Sequence, residues 1–265
     1  ISTLNNKRSF KGIQMINVSA NEVWLVTGSQ HLYGPETLNQ VAANAETIAA
    51  HFNQDSRIPG KIIFKPIVTT SDSIRTVCLE ANNSPACIGL ICWMHTFSPA
   101  KMWIAGLNSL LKPFLHLHTQ YNREIPFEQI DMDFMNLHQS AHGDREFGFI
   151  SSRLQLNRKV VVGHWTESSV VNSIGEWFRV ASALQDLKYC RVARFGDNMR
   201  DVAVTEGNKV SAQICFGFEV LGFGVGDLSS AVILAEESAI DDLVSETVML
   251  FLRVTTRETH RVATV

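Results

Sequence analysis

The order of hydrophobic and polar positions predicts strands and helices in alternation. From residue 22 onward, short apolar runs that suit buried strands are followed by longer segments in which apolar residues recur at spacings of three and four. The predicted strands cover residues 22–28, 61–68, 87–94, 113–120 and 159–165. Because buried strands joined by amphipathic helices form parallel sheets, we expect an α/β fold with a doubly wound, mostly parallel sheet.

A change of pattern predicts a domain boundary between residues 184 and 190. Residues 202–221 alternate apolar and polar positions around Glu206, Gly207 and Asn208, which is typical of a β-hairpin. We therefore expect an amino-terminal Rossmann-like domain over residues 15–186 and an incomplete central α/β domain over residues 187–246.

The two ends of the chain differ from these domains in their pattern of polar and apolar residues. Residues 1–14 are polar and precede Met15, which suggests an extension upstream of a natural start at Met15. From residue 247 we find no clear helical stripe, cap or turn, and we predict that the preceding helix does not continue. Residues 247–265 are thus predicted to be an atypical tail, as a shifted reading frame would produce.

Composition narrows the class of protein. The chain has 265 residues, 45% hydrophobic and 18% charged, with a net charge of −3, so it is predicted to fold and has no excess of basic residues for binding nucleic acid. Five cysteines without a CxxC pair favour reduced thiols. No apolar run reaches the roughly 18 residues of a membrane span, and no signal-peptide core precedes residue 15. These features favour a cytoplasmic protein.

The loop after the first predicted strand, TGSQHLYGPETL at residues 27–38, could be a nucleotide cradle, a metal site or part of a sugar pocket. A dinucleotide-binding loop needs three closely spaced glycines, and this loop has Gly28 and Gly34 with bulky residues between them. A polar ligand contacted by Gln30 and Tyr33 fits the residue types better.

Other polar groups follow later strands and leave alternatives open. His95 and Phe97 come directly after a predicted strand, although Ser98 could instead cap a helix while Phe97 packs beneath it. His116 and His118 share one face of a strand, where backbone-bonded histidines are more common than metal ligands.

The run NLHQSAHGDREFGF at residues 136–149 is the most polar stretch of the chain. If it is helical, His138 and His142 lie one turn apart and could bind a metal, but contacts with a polyol or with a neighbouring subunit fit better. The sequence contains no Gly-x-Ser-x-Gly elbow, phosphate-binding Walker loop or HExxH motif.

Six ordered blocks of sequence together resemble the amino-terminal half of the L-arabinose isomerase family, over about residues 20–245. They are VWLVTGSQHLYGPETL, WMHTFSPAKMW, HTQYN, DMDFMNLHQSAHGDREFGFI, VVVGHW and CRVARFGDNMRDVAVTEGNKVSAQICFGFEV. The resemblance implies a fucose isomerase-like fold and a cytoplasmic homohexamer with pockets between subunits. The implied activity is the Mn²⁺-dependent interconversion of L-arabinose and L-ribulose, and often of D-galactose and D-tagatose.

The resemblance also implies which residues contact the sugar. In the first loop these would be Gln30 and Leu32, with Tyr33 beside them. Phe97 and Met199 would line the pocket, while Gln139 and His142 would reach it from the neighbouring subunit.

The family's metal ligands and catalytic carboxylates, two glutamates and two histidines, lie in its carboxyl-terminal half, so no catalytic or metal-binding residue is expected in this chain. The chain is then an isomerase fragment, inactive alone. The alternative is a non-catalytic sugar-binding or subunit-assembly module derived from such an enzyme.

Overall fold

The computed structural model describes residues 18–196, 201–203 and 207–262, with side-chain environments up to residue 249. The chain divides into two compact units, one ending at Asp186 and the other beginning at Leu187. None of the helices described has the length and hydrophobicity required to cross a membrane.

The first unit contains a five-stranded parallel sheet, as the sequence pattern predicts. Its strands are β1 (Glu22–Gly28), β2 (Lys61–Phe64), β3 (Cys87–Met94), β4 (Phe114–His118) and β5 (Lys159–Val162), in the order β2-β1-β3-β4-β5. The order reverses at β1, which lies between β2 and β3. In open α/β sheets such a reversal opens a crevice at the carboxyl ends of the strands, where ligands bind.

Helices cover both faces of this sheet. They are α1 (Gly34–Gln54), α2 (Ser71–Asn83), α3 (Ile104–Ser109), α4 (Met132–Leu137), α5 (Ser140–Arg153) and α6 (Ser168–Leu187). Alternate strand residues serve opposite faces: Val23 and Leu25 pack with α1 and α6, whereas Trp24 and Val26 pack with α2, α3 and α5. This alternation is what a strand buried on both faces requires, and it produces a three-layer α/β/α core.

The polar segment before β5 is two helices rather than one. Asp131 caps α4 by accepting a hydrogen bond from the backbone of Phe134 at 2.8 Å. His138 then leaves the helical conformation, with φ −104° and ψ 56°, and α5 begins at Ser140. His138 and His142 therefore do not share a helix, and the condition under which they would lie one turn apart is not met.

The second unit has a two-stranded parallel sheet of β6 (Arg191–Phe195) and β7 (Glu219–Phe223). Its helices are α7 (Lys209–Phe216), α8 (Val225–Ile233) and α9 (Glu237–Val262). The predicted hairpin is wrong, because the side chain of Asn208 caps α7 through the backbone of Ser211 at 2.8 Å. A helix in this position allows β7 to return parallel to β6.

The predicted end of the last helix near residue 247 is also wrong. α9 continues to Val262. Its apolar residues Ile240, Leu243, Val244 and Val248 recur at spacings of three and four, so a helical stripe does cross residue 247.

Candidate functional site

The loops after β1 and β3 are tied together at the point where the strand order reverses. The buried hydroxyl groups of Ser29 and Thr96 form a hydrogen bond of 2.7 Å. Gln30 and Phe97, each one residue further along its own loop, are thus held at the same edge of the sheet. We call this region, comprising residues 29–33, 94–100 and the first turns of α5, the carboxyl edge.

The loop after β1 requires glycine at two positions, for different reasons. A Cβ atom at Gly28 would lie 2.7 Å from Oγ of Ser98 and 2.8 Å from the Trp103 ring, so only glycine fits. A 3₁₀ helix spans His31–Tyr33, and Gly34 follows with φ +78°, a conformation that favours glycine. The side chain of Leu32 is left 83% exposed.

His95 is buried in the loop after β3. Its ring stacks on Trp93 with 4.5 Å between centroids, and the side-chain amide of Asn44 donates a hydrogen bond to Nε2 at 2.7 Å. Burial, with a smaller contribution from His138, lowers the pKa of His95 to about 3. His95 is therefore neutral at physiological pH and serves as a fixed support inside the carboxyl edge.

Phe97 packs on His142. The two rings stack with 4.5 Å between centroids and 23° between planes. Ser98 does not cap the following helical turn, since Pro99 holds that position and Ser98 instead accepts a hydrogen bond from the Trp103 indole at 3.1 Å. Capping by Ser98, one of the alternatives that the sequence left open, is therefore wrong.

The first turns of α5 are bound to the loop after β3 at several points. Ser140 donates a hydrogen bond to the carbonyl of His95 at 3.3 Å, and Glu146 accepts one from the backbone of Ala100 at 3.0 Å. A Cβ atom at Gly143 would lie 2.8 Å from the carbonyl of Thr96. This close approach places His142 beside Phe97.

His116 has a carboxylate partner that the sequence did not reveal. Its Nε2 lies 2.9 Å from Oδ1 of Asp144, and both residues are buried. Burial lowers the pKa of His116 to about 3 and raises the pKa of Asp144 well above its usual range. The predicted alternatives, backbone partners or a metal, did not include this side-chain pair, because Asp144 is 28 positions away in sequence and only the placement of α5 brings it close.

A cleft of about 790 Å³ opens where β4 and β5 end, beside α4 and α5. Gln139 and His142 line it, whereas Gln30, Leu32, Tyr33 and Phe97 do not. Other residues that line it are His118, Gln120, Phe134, His138 and His164. His142 thus connects the cleft with Phe97 at the carboxyl edge.

One predicted sugar contact, Met199, lies outside the described residues. The part of the chain that the structure describes contains no group of three or more histidine, cysteine, aspartate or glutamate side chains arranged to hold a metal ion. The described residues therefore do not fit a Mn²⁺ site, and we assign no chemical step to a metal held by them.

Two protein-family models match the chain. One, described as the L-arabinose isomerase N-terminal domain, matches residues 17–189, and the other, the L-arabinose isomerase central domain, matches residues 191–262. The second match extends past residue 245, where the sequence blocks suggested that the resemblance ends.

Curated relatives named L-arabinose isomerase show the same similarity. Those of Koribacter versatilis and Herpetosiphon aurantiacus are each 59% identical over 232 residues, which is 88% of this chain and 46% of the relative. That of Geobacillus thermodenitrificans is 55% identical over 237 residues, 89% of this chain and 48% of the relative. The chain spans about half the length of these relatives.

Proposed function

Since the chain belongs to the L-arabinose isomerase family, we propose that it supplies a sugar-binding wall of an enzyme that interconverts L-arabinose and L-ribulose. The observation that carries the proposal is the stack of Phe97 on His142 at the carboxyl edge. The Ser29–Thr96 hydrogen bond ties the loop that contains Gln30 to the same edge. A reversal of strand order is also where ligands bind in this class of sheet.

The residue types suit a small polyol. The amide groups of Gln30 and Gln139 can donate to and accept from sugar hydroxyls, which fixes the orientation of the ligand. The rings of Phe97 and His142 offer a flat surface for the C–H face of the sugar. Leu32 and Tyr33 are proposed as further sugar contacts beside Gln30, and Met199 is proposed from the family resemblance alone.

The Phe97–His142 stack constrains how subunits share the pocket. The resemblance assigns His142, but not Phe97, to the pocket of a neighbouring subunit. Because the two rings touch within one chain, we propose that they act on the same sugar, together with Gln139. If His142 serves a neighbouring subunit in the family's homohexamer, Phe97 serves it as well.

We propose that this chain binds and orients the sugar but does not move protons, and that it is inactive alone. Aldose–ketose isomerisation transfers a proton between C1 and C2 and requires a base, with a metal to polarise the sugar oxygens. Three groups near the carboxyl edge have strongly shifted pKa values, but all of them are buried: His95, His116 and Asp144. In the whole protein, Mn²⁺ and the catalytic carboxylates would come from elsewhere. The family also supports a cytoplasmic role in L-arabinose catabolism.

Two assays on the purified chain test this proposal. With Mn²⁺ and L-arabinose or D-galactose, we expect no ketose above background, while the Geobacillus thermodenitrificans relative serves as the active control. Saturation-transfer NMR should nevertheless detect weak binding of L-arabinose. Turnover by the chain alone would contradict the proposal that the catalytic groups lie outside this chain. Absence of sugar binding would contradict the proposal that this chain forms a wall of the sugar pocket.

A further inference from the structure

The hydrogen bonds of His116 on β4 and Asp144 on α5 indicate that this pair positions α5 against the sheet. Oδ1 of Asp144 contacts Nε2 of His116 at 2.9 Å and also accepts a hydrogen bond from the backbone N–H of Met94 at 3.2 Å. A single carboxyl oxygen thus joins α5 to the last residue of β3 and to the middle of β4.

Stability alone does not explain such a pair. Both side chains are buried, and Oδ2 of Asp144 and Nδ1 of His116 have no hydrogen-bond partner among the residues that the structure describes. Leaving polar atoms buried without partners is unfavourable, and replacing a buried polar pair by apolar residues of similar volume is often neutral or stabilising. What the pair does provide is a defined position of α5 along β3 and β4.

The position of α5 matters because of what its first turns carry. Asp144 follows His142 by two residues, so on a helix the two side chains point in different directions, one toward the sheet and the other toward Phe97. Gly143 lies between them, and a Cβ atom there would be 2.8 Å from the carbonyl of Thr96. A shift of α5 along the sheet would separate the rings of His142 and Phe97, which are 4.5 Å apart.

We infer that Asp144 and His116 form a positioning pair, which holds α5 in the register that stacks His142 on Phe97. The stacking is a property of the chain itself. That it serves sugar binding rests on the proposed function.

Two sets of variants separate positioning from stability. Asp144→Asn keeps an oxygen that can accept from Met94 and His116, so the geometry should persist. The double variant His116→Leu/Asp144→Leu removes the hydrogen bonds but keeps apolar volume, so it should fold while α5 loses its register. Asp186→Asn, an exposed position at the end of α6, is the matched control for removing a carboxylate.

The primary readout needs no ligand. The ring current of Phe97 shifts the NMR signals of the His142 ring, and Phe97→Leu gives the unstacked reference. We expect Asp144→Asn and Asp186→Asn to keep the wild-type signals and the double variant to move to the reference, with all three melting within a few degrees of wild type. Unchanged His142 signals in the double variant would overturn the inference, as would a double variant that fails to fold, since the pair would then be a stability element.

Sugar binding is measured separately. The double variant should weaken L-arabinose binding about tenfold while Asp144→Asn stays within about twofold of wild type. If the wild-type chain shows the stacked His142 signals but binds no sugar, the proposed function fails and the positioning pair stands. If the sugar binds but His142 is unstacked in wild type, the positioning pair fails instead.

Discussion

At the scale of single residues, His142 is the most informative side chain of the carboxyl edge. Its ring packs on Phe97 and it also lines the cleft at the ends of β4 and β5. The location of Gln30 and Phe97 could be predicted from sequence, because both follow strands whose carboxyl ends meet at one edge. The contact between Phe97 and His142 could not, since it depends on how closely α5 approaches β3.

Replacing Phe97 tests its proposed role as a sugar platform. We expect Phe97→Leu to weaken binding of L-arabinose several-fold, because a flat aromatic surface is lost while a hydrophobic side chain is kept. Phe149→Leu is the control, since Phe149 lies on α5 but is 61% exposed and has no proposed contact with the sugar. Equal effects of the two substitutions in a titration followed by NMR would refute the role of Phe97.

The buried His95 predicts a specific response to acid. Its pKa falls from 6.5 in the unfolded chain to about 3 in the folded one, so the unfolded state binds more protons between these values. The stabilisation from the neutral imidazole is then complete above pH 6.5 and decreases as the pH falls toward 3.

The variant His95→Gln should therefore show a smaller loss of stability in acid. Between about pH 4 and pH 5.5, the slope of its unfolding free energy against pH should be lower by up to about 1.4 kcal/mol per pH unit, the value for one proton. Urea unfolding followed by tryptophan fluorescence measures the slope. His51→Gln is the control, and identical slopes for wild type and His95→Gln would show that His95 is not a buried neutral group.

At the scale of elements, α5 determines the geometry of the carboxyl edge. Periodicity predicted helical structure here, but it could not show that His138 interrupts the helix, because that break depends on local backbone geometry and the cap at Asp131. The same limitation explains the hairpin expected around Gly207. There, capping by Asn208 favours a helix although the apolar pattern alternates.

Two glycines on α5 provide a matched test of its close packing. Gly143→Ala should lower the free energy of unfolding by about 1–3 kcal/mol, because the new Cβ would meet the carbonyl of Thr96 at 2.8 Å. Gly148→Ala should be neutral or stabilising by up to about 1 kcal/mol, because alanine favours helix and the new Cβ would make ordinary contacts, 3.4 Å from the end of Arg158 and 3.8 Å from the His116 ring. A harmless Gly143→Ala substitution would mean that α5 is not held closely against β3.

At the scale of the whole molecule, the two units differ in how well their apolar residues are covered. All five tryptophans, Trp24, Trp93, Trp103, Trp165 and Trp177, belong to the first unit, so their fluorescence reports on that unit. In the second unit, none of the side chains described is buried. The family resemblance predicted from six sequence blocks is confirmed by the two domain matches. The structure confirms the predicted α/β architecture.

The exposed apolar residues of α9 predict that the chain associates. Leu243, Val244 and Val248 lie on one stripe and are each more than half exposed, and contiguous apolar surface promotes association. We expect light scattering after gel filtration to show oligomers that grow with concentration. Val244→Glu/Val248→Glu should increase the monomer fraction, whereas Val180→Glu, at an equally exposed site in the first unit, should not. A wild-type chain that stays monomeric at high concentration would contradict this prediction.

The central claim is that this chain supplies the sugar-binding wall of an L-arabinose isomerase. It is tested most directly by a chimera in which residues 18–246 replace the matching segment of the Koribacter versatilis relative, so that the remaining half comes from that relative. With Mn²⁺, the chimera should convert L-arabinose to L-ribulose within about tenfold of the parent rate, whereas we expect this chain alone to make none. A chimera that melts like its parent but forms no ketose would contradict the claim and favour a non-catalytic binding or assembly module.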